Sequence, residues 1–475
     1  MKKKLMLLSL PALILANTIS FEDALDKTLT NNQSLKAKKL SIEKAKLDLK
    51  SAKGYNYGTL TFNENIARSN NALNVFGMKL MSREADFGDF GFKDFLGGIG
   101  NVMGAAGGDF GKFSNMMSDP NAQKQMLDTQ PDDLNNPDAR TNYETKVIYE
   151  VPLFTGFKLS NAKSMAQLQI KANMAKYNHD KKQVGLDVLK AYNGAVAAKY
   201  FIDATQKAKE ATSSFVHFAT EMYKEGFVTS IDVKQAKVYD MKINSQILEA
   251  KNQYSLALAY LRFLTNDKEI TDVADFKTIA IDMNNIDTLK NDLYINRDDF
   301  RWMKQNTATM KKKIAFEKSG NYPMIGAHLE YGFNDNQLNN LKSTKDYYTM
   351  AVGLEYKLFD GFKTSANIQQ AKIAYEKTKH YLDYMKSGIK LQVEKALLTL
   401  KTKQSVLKEK IKAKTLADEV LVQAQQMYEN QLMKMSDLLM QQALAQKARA
   451  EVILAKYEET IAAAQLKLAL GNKLK

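Results

Sequence analysis

The spacing of apolar residues along the chain switches between two periods. Long stretches place apolar side chains three or four residues apart, which predicts amphipathic helices, whereas four short stretches alternate apolar and polar residues, which predicts strands. The switch from strand to helix occurs at two similar sequences, EVPLFTGFKLSNA at 150–162 and EYKLFDGFKTSAN at 355–367. The same shift of 205 residues also aligns Met222, Tyr223 and Asp232 with Met427, Tyr428 and Asp437. We therefore expect two copies of one structural plan.

Each copy is predicted to begin with a helix, over 21–54 in the first copy and 295–320 in the second. Two strands are predicted to follow in each copy. Of these four strands, the first strand of the first copy is the weakest prediction. The predicted strands cover 59–67, 144–154, 324–334 and 347–359.

A long helix follows each pair of strands, over 159–225 and 364–430, with no Pro and almost no Gly. At 1.5 Å per residue each would be roughly 100 Å long. Apolar residues recur at steps of four and three, as in the seam of a left-handed coiled coil. The seam positions are Val184, Val188, Ala191, Ala195, Ala198 and Ile202 in the first helix, and Ile389, Val393, Ala396, Leu400 and Leu407 in the second. Short tips at 226–232 and 431–437 precede return helices of roughly 30 residues, so two helical hairpins are predicted.

The copies differ most between their paired strands. The first copy has an insertion at about 70–141 that is rich in Gly, Met, Asn and Asp. It is expected to face outward, and three alternatives are open for it: a disordered segment, a lid or a surface adhesion element. Its Gly-rich part at 97–113 is expected to be a flexible loop. The equivalent loop of the second copy, 335–345, is short. The predicted domains are a signal peptide, a first repeat, an irregular connector or equatorial region and a second repeat. They cover 1–20, 21–265, 266–294 and 295–475.

The N-terminus has the pattern of a secretory signal. Three lysines precede an apolar run over 5–16, which is too short to span a bilayer as a helix. Cleavage after Ala16 or after Ser20 fits the residues. The chain has no Cys, so neither a lipidated N-terminal Cys nor a disulfide is expected. The net charge is +15, but Lys alternates with Glu and Asp at helical spacing, which indicates solvated helix faces rather than nucleic-acid binding.

No residue pattern predicts catalysis. The four histidines are far apart, and none has the spacing of a metal-binding pair. The Gly-rich sequence at 97–113 resembles a phosphate loop, yet Ala106 and Phe113 occupy positions that such a loop fills with Gly and with Ser or Thr. We expect no enzyme activity, no cofactor and no metal site.

Four strands are too few to close a barrel, since closure needs about eight or more. An open edge in lipid would leave backbone groups without hydrogen bonds, so several copies would have to share a barrel, with eight strands from two copies or twelve from three. Alternation places apolar residues on one face and Glu150, Glu330 and Glu355 on the other, which fits lipid outside and water inside. An ordinary soluble sheet would show the same alternation.

The chain resembles the TolC family of outer-membrane efflux proteins over its whole mature length. The resemblance lies in FEDALDKTLTNNQSL near the start, in PLFTGFK and KLFDGFK, in DDLNNPDARTNYET, and in the tips EGFVTSIDV and NQLMKMSDLL. It implies a mainly α fold with a membrane β-barrel: a homotrimer with a 12-stranded barrel in the outer membrane and a 12-helix tunnel through the periplasm. It also implies export of drugs or proteins, by multidrug efflux or type I secretion, together with a periplasmic adaptor and an inner-membrane transporter.

The same resemblance assigns residues to two sites. The adaptor-docking tips would be Gly226, Phe227, Val228, Thr229, Gln431, Leu432, Met433 and Lys434. The periplasmic gate would be Asp232, Tyr428, Asp437 and Met440. The chain departs from the family at four of these positions, with Phe227 in place of Leu, Gln431 in place of Gly, Met433 in place of Arg and Met440 in place of a second Asp.

Two alternatives accompany these assignments. Asp232 and Asp437 stand where the return helices begin, so each is also expected to act as a helix N-cap. For the whole chain, the alternative function is a periplasmic coiled-coil adaptor or structural spacer. Extraction would separate the two functions, because a trimer in the outer membrane favours the channel and recovery in the soluble periplasmic fraction favours the spacer.

Overall fold

The computed structural model describes residues 18–281 and 293–474. Most of the predicted signal peptide and part of the predicted connector lie outside the described residues. The described chain forms two compact units. We call residues 18–48, 165–281, 293–312 and 371–474 the helical unit, and residues 49–164 and 313–370 the sheet unit.

Helices make up most of the described residues, with a few strands, so the predicted mainly helical fold is confirmed. The α-helices are α1 (Phe21–Asn31), α2 (Gln33–Gly54), α3 (Ala72–Met81), α4 (Phe92–Ala105), α5 (Phe110–Met117), α6 (Pro120–Leu127), α7 (Asp132–Asn135), α8 (Lys158–Lys224), α9 (Ser230–Thr265), α10 (Leu293–Asn296), α11 (Asp298–Glu317), α12 (Lys363–Glu429) and α13 (Met435–Ala469). The strands are β1 (Thr18–Ile19), β2 (Thr59–Ser69), β3 (Arg140–Thr155), β4 (Asp272–Val273), β5 (Met324–Asp335) and β6 (Asp346–Glu355).

The predicted single helix over 21–54 is interrupted at Asn32. The Asn32 side chain donates to the backbone oxygen of Leu264 at 3.0 Å and accepts from the backbone N–H of Leu35 at 3.1 Å. The first bond satisfies a carbonyl in the last turn of α9, and the second satisfies an N–H group in the first turn of α2. Arg297 interrupts the second predicted helix, 295–320, in a similar way, because its guanidinium binds Asp299 and the backbone oxygen of Ala469.

The two strand-to-helix junctions have the same backbone in both copies. Gly156 and Phe157 have φ of +57° and +66°, and Gly361 and Phe362 have +67° and +65°. In each copy the Phe ring packs edge-on against the Phe three residues earlier, with centroids 5.3 Å apart in the first copy and 5.4 Å in the second. Gly156 and Gly361 supply the backbone freedom that this turn requires, and each is followed by a left-handed Phe.

The two hairpins, α8 with α9 and α12 with α13, lie mainly in the helical unit. Both α8 and α12 contain 67 residues. Ion pairs join the two helices of each hairpin: Lys209 and Asp240 in the first, at 2.5 Å, and Lys410 and Glu451 in the second, at 2.7 Å. No helix in the described part of the chain is both long and apolar enough to cross a membrane.

Two apolar clusters form the core of the helical unit. The larger cluster includes residues of the predicted coiled-coil seams, among them Val188, Ala195, Ile389, Val393 and Leu400. The smaller, which we call the tip cluster, lies where the hairpins turn. Its buried members are Phe215, Ala219, Val233, Ala236, Leu421, Ala424, Tyr428, Met435, Leu438, Leu439 and Ala445.

The sheet unit contains one antiparallel sheet with strand order β2-β3-β5-β6. The fourth strand ends earlier than predicted, at Glu355 rather than at residue 359. Glu355 pairs with Met324, the first residue of β5, so β6 has no partner strand beyond that point. β3 continues to Thr155 with an irregular register between Pro152 and Phe154.

The register gives the sheet one polar and one apolar face. The polar face carries Asn63, Glu144, Lys146, Glu150, His328, Glu330, Tyr347, Thr349 and Glu355. The apolar face carries Leu60, Phe62, Ile66, Val147, Tyr331, Tyr348, Met350, Val352 and Leu354, all of which are exposed in the single chain.

The insertion between β2 and β3 is folded, so the flexible loop expected at 97–113 is wrong. Helices α3 to α7 occupy it, and polar side chains cap three of them. Asn71, Asp109 and Asp119 accept hydrogen bonds from backbone N–H groups in the first turns of α3, α5 and α6. Frequent Gly obscured the helical pattern, since Gly weakens any prediction of a helix.

Candidate docking tips and channel-lining residues

The two hairpin tips have the same backbone. Gly226 and Gln431 both adopt left-handed conformations, with φ of +80° and +60°. The next residue, Phe227 or Leu432, donates its N–H to the carbonyl five residues earlier, at 2.9 Å and 2.8 Å. This bond and the left-handed residue before it form the usual C-terminal stop of a helix. For Gln431 the left-handed conformation is unfavourable by roughly 1–2 kcal/mol, which a Gly would avoid.

The start of the return helix differs between the tips. At the first tip the Asp232 carboxylate accepts from the backbone N–H of Thr229 at 3.0 Å and from its hydroxyl at 2.7 Å. This is a capping box. At the second tip Lys434 occupies the N-cap without a capping hydrogen bond from its side chain, and Asp437 accepts from the hydroxyl of Ser436 at 3.3 Å.

The expected N-cap role of the two aspartates is therefore wrong. The N-cap residues are Thr229 and Lys434, and each Asp is the third residue of its helix. Asp232 still supports the helix start through the capping box, whereas Asp437 makes no such bond to Lys434. An Asp in the first turn also interacts favourably with the helix dipole.

The predicted docking residues are mostly exposed. Phe227 is 59% exposed and Leu432 is 72% exposed, so each tip presents a large apolar side chain to solvent, and Ile231 at the first tip is also exposed. Val228 is half-buried, and Met433 is half-buried against the tip cluster. Gly226, Thr229, Gln431 and Lys434 are exposed.

The predicted gate residues do not form one hydrogen-bonded group in this chain. Tyr428 is buried in the tip cluster, where its ring packs edge-on against Phe218 at 5.8 Å. Its hydroxyl has no hydrogen-bond partner among the described residues. Burial, assisted by the charge of Asp232, raises the pKa of Tyr428 to about 12. Asp437 and Met440 are exposed and lie one turn apart on α13.

The prediction missed one buried polar residue, Gln442 on α13. It is fully buried, and neither polar atom of its side chain has a partner among the described residues. The signal was present, because Gln442 continues the spacing of Leu438 and precedes Ala445 at core positions of the same helix. A Gln at such a position predicts a buried amide.

The three glutamates predicted for the barrel interior all lie on the polar face of the sheet. Glu150 and Glu330 flank His328, with carboxylate oxygens 3.3 Å and 3.4 Å from its ring nitrogens. Tyr347 donates to Glu330 at 2.7 Å. Glu355 pairs with Lys357 at 3.6 Å. The polar face therefore combines carboxylates with basic and hydroxyl groups.

No group of three or more His, Asp or Glu side chains within residues 18–281 and 293–474 is placed to hold a metal ion.

The tips, the predicted gate residues and the two-faced sheet point toward a channel component. Comparison of the sequence with known families identifies the family. A sequence profile described as outer membrane efflux protein matches residues 115–267 and 289–472. The chain belongs to this family. The family comprises outer-membrane channels rather than enzymes, so the protein is an outer-membrane efflux protein.

Solved structures agree with this fold. The Campylobacter jejuni CmeC outer membrane channel has a TM-score of 0.74 at 14% identity, covering 96% of this chain and 86% of that one. The outer membrane protein VceC from Vibrio cholerae has a TM-score of 0.73 at 13% identity, covering 96% of this chain and 97% of that one. The open state of the Neisseria gonorrhoeae MtrE outer membrane channel has a TM-score of 0.69 at 14% identity, covering 96% of this chain and 89% of that one. No curated protein sequence gives a significant match.

Proposed function

We propose that three copies of this efflux protein form a passive duct across the outer membrane and periplasm. The observation that carries the proposal is the sheet itself. β2 pairs only with β3 and β6 only with β5, so each has one edge with no partner in the described chain. In lipid, each backbone group left unpaired would cost several kcal/mol. Pairing β2 of one copy with β6 of the next removes these edges, and three copies supply the twelve strands that the family resemblance implies.

The exposed apolar face favours this duct over a periplasmic spacer. Strand β6 by itself carries four apolar side chains that are each at least 65% exposed: Tyr348, Met350, Val352 and Leu354. A row of such side chains is suited to lipid and unsuited to an aqueous compartment. The opposite face, with Glu150, Glu330 and Glu355, would then line the water-filled interior.

The hairpins would continue the duct through the periplasm and end at the docking tips. Exposed apolar side chains are typical anchors of protein interfaces, and Phe227 and Leu432 provide one at each tip. We propose that these residues and their tip neighbours bind a periplasmic adaptor, which couples the duct to an inner-membrane transporter. Gln431 and Lys434 give the second tip a different surface, so the two tips would contact the adaptor differently.

The periplasmic gate would lie beside the tips. Three copies of Asp437 around a narrow opening would attract cations, while three copies of Met440 one turn farther along would form an apolar ring. Tyr428 and Asp232 would hold the second hairpin, α12 with α13, in its closed position through burial and charge. These roles extend the family resemblance, and the position of the four residues at or near the tips supports them.

The signal peptide would be cleaved after Ala16. Cleavage after Ser20 would remove β1, whose Thr18 and Ile19 pair with Asp272 and Val273. Ile19 is buried, and the Ser20 hydroxyl accepts the N–H of Asp23 at the start of α1. A mature chain that begins at residue 17 keeps all these contacts, and intact-mass measurement of the exported protein would identify its first residue.

Planar-bilayer recording tests the duct. Detergent-purified trimers should give discrete channels, and Asp437→Ala should shift the reversal potential under a salt gradient toward lower cation preference. Asp203→Ala, on α8 and about 20 residues before its end, is the control and should leave the reversal potential unchanged. An unchanged reversal potential for Asp437→Ala would contradict the proposed Asp ring, and an absence of channels would contradict the duct.

Crosslinking tests the docking tips. The chain has no Cys, so Phe227→Cys and Leu432→Cys each introduce a single reactive site. With a thiol-directed photocrosslinker, both should capture a protein that contains a helical hairpin and copurifies with an inner-membrane transporter. Leu454→Cys, exposed on α13 and away from the tip, should not capture it. Equal capture at all three positions would contradict docking at the tips.

A further inference from the structure

The folded insertion lies at one end of the sheet. β2 ends at Ser69 and β3 begins at Arg140, and these two residues pair in the register. The strand-to-helix junctions follow Thr155 and Glu355, at the opposite ends of β3 and β6. The insertion is therefore at the sheet end farthest from the junctions, which is the outward end if the proposed duct is correct.

The insertion covers the polar face at this end. Helix α3 packs on β3 and β5 and buries its own Val75 and Met78. On the polar face, Asn142 and Asn334 hydrogen-bond to each other at 3.1 Å and are 6% and 3% exposed. Farther along the same face the side chain of Glu150 is 66% exposed. Polar residues on one sheet face become this deeply buried only where another element lies on them.

Ionic contacts hold the insertion in place. The Glu84 carboxylate binds Arg140, at the start of β3, and Lys345, in the β5–β6 loop, the latter at 2.7 Å. Lys345 also donates to the backbone oxygen of Ser82 at 2.8 Å. Arg83 donates to the backbone oxygen of Asp346 at 2.6 Å. One three-residue segment of the insertion, 82–84, thus contacts the start of β3, the β5–β6 loop and the start of β6.

This segment has an unfavourable backbone that its contacts compensate. Arg83 has φ of +54°, a left-handed conformation that is unfavourable by roughly 1–2 kcal/mol for a residue other than Gly. The turn directs Arg83 and Glu84 toward the β5–β6 loop. Non-Gly residues persist in such conformations where surrounding contacts hold them.

We infer that the insertion is an outward gate, which folds over the polar face and narrows the outer mouth of the duct. The inference rests on the proposed function, because only in the closed barrel does the polar face line the passage. Three copies would place three insertions at one mouth. The duct would then have a constriction at its outer end in addition to the proposed gate at its periplasmic end.

The anchor is stable to moderate acid. Burial alone would raise the pKa of Glu84, but hydrogen bonds from Lys345 and Arg140 outweigh it and lower the pKa to about 2. A lowered carboxylate pKa stabilises the folded arrangement above its ordinary value of 4.5, and this stabilisation is lost only as pH falls toward about 2. Acidification to about pH 5 therefore leaves the anchor closed.

Removal of the insertion is the first test. Since Ser69 and Arg140 are paired, a two-residue Asn-Gly turn can replace 70–139 and join β2 to β3 as a hairpin. In planar bilayers this variant should conduct at least about two-fold better than the wild-type trimer, because a wider mouth lowers the resistance of the pore. Equal conductance of the two trimers would overturn the gate.

Point variants keep the test valid if the shortened chain does not assemble. Glu84→Gln removes the charge that binds Arg140 and Lys345 and should raise the conductance or the open fraction. Asp128→Asn changes an exposed acid of the same insertion and should behave as wild type. A Glu84→Gln trimer that conducts as the control does would overturn the anchoring role.

A reversible lock provides the opposite change. The Arg83 side chain reaches Thr344 and donates to its backbone oxygen at 3.4 Å. The double variant Arg83→Cys with Thr344→Cys therefore places two thiols about one Arg side chain apart. A reducible bis-thiosulfonate crosslinker of similar length should lower the conductance below that of wild type, and a reductant should restore it. A locked trimer with wild-type conductance would contradict the gate. If neither wild type nor the shortened variant conducts, the proposed duct fails and the gate fails with it.

Discussion

The two hairpin tips share one backbone but present different side chains. The repeat aligns Gly226 with Gln431 and Thr229 with Lys434, and in both pairs the conformation is retained while the residue changes. The long helices therefore determine the turn, and the tip residues adapt to it. This leaves the side chains of each tip free to differ, as a duct would require if its adaptor bound the tips in two ways.

The tyrosines before the tips show the same contrast. Tyr223 is 50% exposed, whereas its counterpart Tyr428 is 4% exposed in the tip cluster. Equivalent positions of the repeat thus serve as surface in the first hairpin and as core in the second. The following predictions compare these paired positions.

The largest expected effect is the loss of the buried ring. Tyr428→Ala should destabilise the hairpin packing by about 3–5 kcal/mol, because it leaves a cavity in the tip cluster. Tyr223→Ala should change stability by less than about 0.5 kcal/mol. Urea unfolding of detergent-solubilised protein, followed by helical circular dichroism, would measure both. Equal shifts in the two midpoints would show that the two hairpins are not packed differently.

Alkaline pH should weaken the second hairpin through the same residue. The pKa of Tyr428 is about 12 in the folded chain and 10.0 ordinarily, so ionisation favours the unpacked state. Stability is full below pH 10 and falls as pH rises toward about 12. The thermal midpoint should drop over this range, and Tyr428→Phe should reduce the drop. If the Phe variant loses stability as steeply as wild type, the buried hydroxyl is not responsible.

Removing the N-cap side chain at the first tip and adding one at the second should change the stability of the two hairpins in opposite directions. Thr229→Ala removes the capping box and should destabilise the first hairpin by about 1 kcal/mol. Lys434→Thr would place a cap three residues before Asp437 and should stabilise the second hairpin by a similar amount. Thr415→Ala, exposed within α12, controls for loss of a helical Thr. Thermal midpoints that move in the same direction for Thr229→Ala and Lys434→Thr would contradict the comparison.

The smallest expected effect comes from Gln431, one of the two left-handed positions at the tips. Gln431→Gly should stabilise the second hairpin by about 0.5–1 kcal/mol, and Gly226→Gln should destabilise the first by about 1 kcal/mol or slightly more. No atom lies within 4 Å of a Cβ added at Gly226, so conformation rather than a steric clash accounts for the effect. Hydrogen exchange of the tip amides would report both changes. Faster amide exchange in the Gln431→Gly variant than in the wild type would contradict the backbone strain assigned to Gln431.

Periodicity predicted the long helices and the strands because both patterns extend over many residues. It predicted the bounds of α8 and α12 to within one residue. It failed where a single side chain decides the structure. Asn32 interrupts a helix by binding a backbone oxygen more than two hundred residues away, and no local pattern contains that partner. The end of β6 likewise depends on where β5 begins.

The positions of the hairpin tips were predictable from the sequence, but the packing beside them was not. The repeat placed the tips correctly, yet the burial of Tyr428 and Gln442 depends on packing between two hairpins. The attachment of the insertion to the sheet was missed because the contacts of Glu84 come from β3 and from the β5–β6 loop. A sequence interpretation that considers one segment at a time does not find such contacts.

The central claim is that one chain supplies only part of a membrane wall and that three chains complete it. Native mass spectrometry of the detergent-purified protein tests this most directly. The account predicts a complex of three identical mature chains that requires detergent to stay in solution. A monomer that remains folded in buffer without detergent would contradict it.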